Sequence, residues 1–270
     1  AGDNAAAAVG TGTVEDGRAF TTIGTSGVVY AHSSHVTIDP KGRVHTFCCA
    51  VPGAWHVMGV TQGAGLSLKW FRDQFCDAEK QTASRLGIDP YVLMDKEAER
   101  VPIGSRKLLY LPYLMGERTP HLDADARGVF FGLSAIHTRQ DMLRAVMEGV
   151  TFSLKDCLSI FGEMKISVRE MLACGGGGNS PLWRQMLADV FDCPVRTTVS
   201  KEGPALGAAL LAGVGTGLYR SVSEACAAVV KYKPSQPPDP DSGEQYLPFY
   251  RLYTQLYPTL KDSFKALQNV

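Results

Sequence analysis

The sequence predicts an α/β fold, and three observations carry that prediction. Runs of strand length rich in Val, Thr, Ile and aromatics alternate with segments whose apolar residues recur every three or four positions. Two glycine turns each follow such a run, and the second opens directly into a helix signal. Strands and helices interleaved in this way bury their apolar faces best as a sheet flanked by helices.

Each element has its own signal. The alanines after Asp3 and Asn4 predict a short helix over 4–10, with Asp3 as its N-cap. Residues 19–31 hold two strand-like runs around Gly24, Thr25, Ser26 and Gly27, which predicts a hairpin. Short strands follow at 44–50 and 55–60, and helices at 65–75 and 90–98; strands resume at 108–113 and 129–133. The clearest helix covers 138–161, where Leu143, Val146, Met147, Val150, Leu154, Leu158 and Phe161 share one face. A strand at 169–174 enters Gly175, Gly176, Gly177, Gly178 and Asn179, after which Ser180 caps and Pro181 opens a helix reaching Phe191. A strand at 195–199 precedes an Ala-rich helix from Gly203-Pro204 to Gly213. Residues 233–248, with Pro234, Pro237, Pro238, Pro240 and Pro248, predict a stiff polar connector to a last helix over 249–270.

Composition narrows the function. With 27 basic and 27 acidic residues the formal charge is zero, so there is no electrostatic footprint for nucleic acid or an anionic membrane. No apolar run reaches the roughly 18 residues of a membrane span. The seven cysteines lack C-x-x-C spacing and histidine partners, which predicts free thiols and a cytoplasmic setting. Any anionic ligand must then be gripped locally, by backbone amides and a few side chains.

The glycine turns suit that task, because a turn between a strand and the next element presents unpaired amides to phosphate oxygens. Gly24, Thr25, Ser26 and Gly27 add two hydroxyls; Gly175 to Gly178 form a costly run of the kind kept where another group must approach the backbone closely. Neither turn is a P-loop, and the dinucleotide fingerprint lacks its ribose-binding acid. Asp3, a carboxylate in a Gly/Ala-rich turn, is the first candidate for chemistry. Coming so early and with no initiator Met before it, it makes the chain read as the later part of a longer protein. Glu117, Arg118 and His121 are a dense polar cluster on one loop, with a spacing that suits no zinc site. His32, His35, His45, His56 and His137 are scattered without ligand spacing, and Glu148 is expected to close a buried polar contact.

Gly128-Val129-Phe130-Phe131-Gly132-Leu133, then Asp141-Met142 and Ala145-Val146-Met147-Glu148, is similar at every constrained position to the second signature of the FGGY carbohydrate kinases. Gly2-Asp3-Asn4-Ala5, the Gly24 to Gly27 turn, the segment from Leu111 to Pro120, the Gly175 to Asn179 turn and Glu202 to Ala209 follow in that family's order. The resemblance covers essentially the whole chain and looks closest to the family's xylulose kinase branch. It implies a ribonuclease-H-like, actin-like ATPase domain over 1–232, with 1–12 from the interdomain region, as the second of two domains. The N-terminal FGGY domain, with its magnesium-binding Asp and most sugar contacts, is absent from the sequence. The implied activity is ATP- and Mg2+-dependent phosphorylation of a small sugar, D-xylulose to D-xylulose 5-phosphate, with another polyol or sugar acid as the alternative. A non-catalytic actin-like nucleotide-binding module is the competing class. On this resemblance Asp3 is the catalytic base and Asn4 a sugar contact. Gly24, Thr25, Ser26 and Gly27 hold the β- and γ-phosphates, Gln62 and Gly63 lie near them, and Gly176, Gly177 and Asn179 line the adenosine pocket. No metal ligand is expected from this half, isolated it is expected to be inactive, and a homodimer is left open.

Overall fold

A computed structural model describes residues 1–270. In chain order the elements are α1 (Asp3–Thr11), β1 (Arg18–Ile23), β2 (Gly27–Ser33), β3 (His45–Cys48), β4 (Trp55–Thr61), α2 (Ala64–Phe75), α3 (Asp77–Leu86), α4 (Pro90–Glu99), β5 (Leu109–Leu111) and β6 (Val129–Phe131). Then come α5 (Arg139–Glu163), β7 (Glu170–Cys174), α6 (Pro181–Phe191), β8 (Val195–Arg196), α7 (Gly203–Gly215), α8 (Val222–Val229) and α9 (Pro240–Leu267).

The main sheet has the order β3-β4-β2-β1-β7-β8. β1 pairs antiparallel with β2, β2 with β4 and β4 with β3, while β7 lies parallel to β1 and β8 parallel to β7. A meander joined through its first strand to two parallel strands is the ribonuclease-H-like mixed sheet. The period-two alternation of β1 explains how both faces are covered. Ala19 and Ile23 join the main core around α5, whereas Phe20 packs with Tyr30, Leu172 and Ala8 of α1 on the opposite face.

On that opposite face α1 and α7 touch backbone to backbone. A Cβ on Gly207 would lie 1.8 Å from the Ala6 carbonyl, and one on Gly10 would lie 1.8 Å from that of Gly203. The C-terminus of α1 is tied to the start of β1, where Arg18 donates to the Gly12 carbonyl at 3.0 Å.

Three sequence expectations need revision. α5 is buried on nearly every side rather than along one stripe, because the sheet, α2, α4, α6 and α9 all pack on it. Its polar residues are therefore paired inside: Arg144 Nε donates to Glu148 Oε1 at 2.8 Å, and Trp183 Nε1 donates to Thr151. Second, the connector is shorter than 233–248, since Asp239 caps α9 and Pro240 is its first residue, with Pro248 and Pro258 inside the helix. Tyr246, Tyr253, Leu256, Tyr257 and Phe264 bury one face of α9, a tertiary gain that outweighs the prolines. What remains of the connector is bonded to the sheet edge, Val195 and Gln236 exchanging amide–carbonyl bonds of 2.9 and 2.8 Å. Prolines suit such an edge because their missing N–H can face outward. Third, Gly2 rather than Asp3 is the N-cap of α1, and Asp3 is its first residue. The helices α3 and α8 have no counterpart among the elements the sequence predicts.

Candidate active site

Both glycine turns lie at the same end of the sheet and open on one cavity of about 760 Å³, a size usual for small-molecule sites. Ile23, Gly24 and Thr25 form one wall and Gly176, Gly177 and Asn179 another. Leu66, Leu68 and Lys69 of α2, Tyr91, Asp95 and Lys96 of α4, and Pro181 to Trp183 of α6 complete it.

The first turn is fixed from behind and open in front. The Gly65 and Leu66 amides at the N-terminus of α2 donate to the Gly24 and Thr25 carbonyls at 2.7 and 3.1 Å, and the Gly24 amide donates to Ser26 at 3.1 Å. The amides and hydroxyls of Thr25 and Ser26 make no hydrogen bond within the protein, leaving four donors at the turn. Gly65 permits the close fit, since a Cβ there would sit 2.4 Å from the Gly24 carbonyl.

In the second turn the four glycines have different reasons. A Cβ on Gly177 would meet Ile23 at 2.5 Å and one on Gly178 would meet the Ala173 backbone at 2.9 Å, so packing demands both. Gly175 has φ +74° and a Cβ would lie 2.8 Å from the Ile23 carbonyl. Only Gly176 faces open space, with nothing within 4 Å of a Cβ, and it alone answers the expectation that the run leaves room for another group. Arg184 clamps the turn by donating to the Gly178 and Asn179 carbonyls at 2.9 and 3.1 Å, and Ser180 caps α6 by accepting from the Trp183 amide. Across the cavity, burial pushes the Asp95 carboxyl up, partly offset by the Ser180 hydroxyl.

The remaining expected residues do not line this cavity. Ser26 is half-buried beside the cavity without lining it; Gly27 is buried, where a Cβ would meet Thr61 at 2.5 Å and Leu154 at 2.8 Å. Gly63 packs on the Pro112 carbonyl, and the Gln62 amide donates to Glu117. Asp3 and Asn4 are outside it too, Asp3 being exposed with Oδ1 accepting from the Asn4 amide at 2.8 Å. Their placement follows from α1, whose C-terminus meets the start of β1 and whose Ala8 packs on Phe20. From Ala8 back to Asp3 the helix runs roughly 8 Å toward the end of β1 that carries the first turn. Asp3 thus stands at the turn end of the sheet but on the α1 face, with the cavity on the α2 side. The α4 wall was missed by sequence reasoning; its charged positions show only as an ordinary solvated helix face.

The sequence model of the FGGY family of carbohydrate kinases, C-terminal domain, matches residues 19–216. The chain belongs to the FGGY family. It is 37% identical over 267 residues to the xylulose kinase of Bacillus subtilis (strain 168), an alignment spanning 99% of this chain and 52% of that protein. The gluconokinase of the same organism is 35% identical, again over 99% of this chain and 52% of the relative. The ligand-bound xylulose kinase structure from Lactobacillus acidophilus superposes with a TM-score of 0.87 at 28% identity, covering 97% of this chain and 51% of that one. The chain thus spans about half the length of the relatives it matches. Its fold is the C-terminal, actin-like half of such sugar kinases. No helix is long and apolar enough to cross a membrane, and no group of three or more His, Cys, Asp or Glu is placed to hold a metal ion.

Proposed function

We propose that this chain is the nucleotide-binding half of an ATP-dependent sugar kinase whose reaction is D-xylulose to D-xylulose 5-phosphate. The observation that carries the reading is the convergence of both glycine turns on one cavity, with four unpaired donors at Thr25 and Ser26 beside an apolar chamber. A purine nucleoside suits the chamber between α4 and Gly176, and its phosphates suit the turn. Mg2+ would ride on the phosphates and on the facing half of a longer protein. Asp3 would take the proton from the sugar hydroxyl as that oxygen attacks the γ-phosphorus, a role in which a placed base contributes typically ~10² to 10⁴ in rate. Asn4 would contact the sugar, while Gln62 and Gly63 would support the turn from behind.

The similarity to a gluconokinase, nearly equal to that for the xylulose kinase, supports a second reading in which the acceptor is a sugar acid. In a protein carrying both halves, Asp3→Asn should leave ADP affinity unchanged and lower kcat by at least ~10². A rate near that of the parent would refute the base assignment. Turnover on xylulose, ribulose, glycerol and gluconate decides the substrate.

A further inference from the structure

Behind the first turn lies a buried carboxyl that the reaction above does not use. Glu117 is 4% exposed, and its Oε1 accepts from two backbone amides, those of Gln62 and Arg118, each at 2.7 Å. Its Oε2 is buried with no partner. Thr119 extends the same attachment: its amide donates to the Val60 carbonyl at 2.9 Å, and its hydroxyl accepts from the Val60 amide at 3.1 Å. Residues 117–119 therefore act as a clip on the last residues of β4. One residue beyond the clipped Gln62, Gly63 begins the turn into α2, whose first amides hold the Gly24 and Thr25 carbonyls.

We infer that Glu117 is a positioning residue for nucleotide binding, holding the phosphate turn in register through Gln62 and the N-terminus of α2. The inference rests on the reading of that turn as the phosphate site. A side chain that satisfies two backbone amides is hard to replace, because each amide would be left unpaired away from water.

The carboxyl also makes this support pH-dependent. The groups facing it are Asp156 and Cys157 from α5, Tyr113 from the loop after β5 and Tyr253 from α9; none is cationic. Burial pushes Glu117 up to about 8, and burial also pushes Asp156 up to about 7. Ionisation above that range adds a buried negative charge beside Asp156 with no cation facing it, a cost that the two amide bonds offset only in part and that favours drawing residues 117–119 toward water.

The test is calorimetric titration of the chain with ADP and with adenosine, between pH 6.5 and 9. Glu117→Gln keeps an acceptor at the Oε1 position and cannot ionise. Glu117→Leu removes the acceptor. The parent should bind ADP more tightly than adenosine, and Glu117→Leu should lose about 10-fold or more for ADP with adenosine little changed, as two unpaired amides imply. Glu117→Gln should match the parent at pH 6.5 and exceed it at pH 9 by about 3-fold or more, comparison of the two removing the titration of ADP itself. Parallel pH profiles for the parent and Glu117→Gln overturn the inference even if Glu117→Leu does not fold. Equal ADP affinity in all three also overturns it and leaves the phosphate reading intact. Failure of the parent to prefer ADP over adenosine rejects the phosphate reading itself, and the inference with it.

Discussion

Gly176 and Gly177 are neighbours with opposite reasons for being glycine, and alanine at each separates folding from binding. Gly176 has φ −60° and ψ −44°, a conformation open to any residue; it lines the cavity, and a Cβ there would meet open space. Gly176→Ala should therefore hold or raise stability, by about 0.4 to 1 kcal/mol, through the reduced freedom of the unfolded chain. The same methyl occupies space a nucleoside would need, and overpacking at a close contact costs about 1 to 3 kcal/mol, or roughly 5- to 150-fold in ADP affinity. At Gly177 a Cβ would lie 2.5 and 2.7 Å from Ile23, which is 1% exposed and cannot yield. Gly177→Ala should lose about 1 to 3 kcal/mol of stability for that reason. Urea denaturation gives the first quantity and ADP titration the second. Equal stability losses in the two variants would refute the packing argument. Unchanged ADP affinity in a folded Gly176→Ala would refute the placement of the nucleoside against this turn.

Three further outcomes follow from the packing and the buried charges. Gly207→Ala must part α1 from α7, since its Cβ would sit 1.8 Å from the Ala6 carbonyl, and should cost about 1 to 3 kcal/mol by thermal melting despite the better helix propensity of alanine. Glu148→Ala strands the buried Arg144 guanidinium and should cost about 3 to 5 kcal/mol. Replacing both by apolar residues, Arg144→Met with Glu148→Leu, should recover only part of that loss in the same denaturation assay, because the Gly104 amide and Ser105 hydroxyl lose their acceptor. For pH, burial holds His56 and His121 down to about 4, so their contribution is complete above the ordinary histidine value and fades as pH falls toward 4. Glu117 and Asp156, pushed up to about 8 and about 7, give the opposite slope: stability present at low pH and lost as pH rises through those values. The two sets oppose each other below pH 6.5, so a urea-stability profile should be shallow there and fall toward pH 8.5, with Glu117→Gln flattening that fall.

Much of the fold was legible because its signals are local. The hairpin of β1 and β2, the Ser180-Pro181 start of α6 and the long periodicity of α5 each follow from residues within a few positions. The misses share a physical origin in distant contacts. No local signal shows that Pro248 lies inside α9, because that helix is stabilised by Tyr246, Tyr253 and Tyr257 packing on elements about a hundred residues earlier. The site divides the same way. The turns could be read from their glycines, but Gly27 and Gly177 turn out to be glycine for packing against Leu154 and Ile23. The α4 wall and the Glu117 clip could not be read at all, since they gain meaning only by facing residues elsewhere in the chain.

The position of Asp3 outside the cavity fits a transfer reaction better than a lining position would. A nucleotide bound by its base on the α2 side must send its terminal phosphate away from the base, and the first turn is the point where that path leaves the cavity. The turn ends β1, whose residues alternate between the α5 face and the α1 face, so on the proposed reading a phosphate held there would lie at the boundary between them. Asp3 begins a helix on the far face, at this same end of the sheet. A carboxylate inside the nucleoside chamber would instead face the base and ribose, several bonds from the reacting phosphorus. On the proposed reading, an acceptor beside Asp3 would meet the nucleotide across the end of β1.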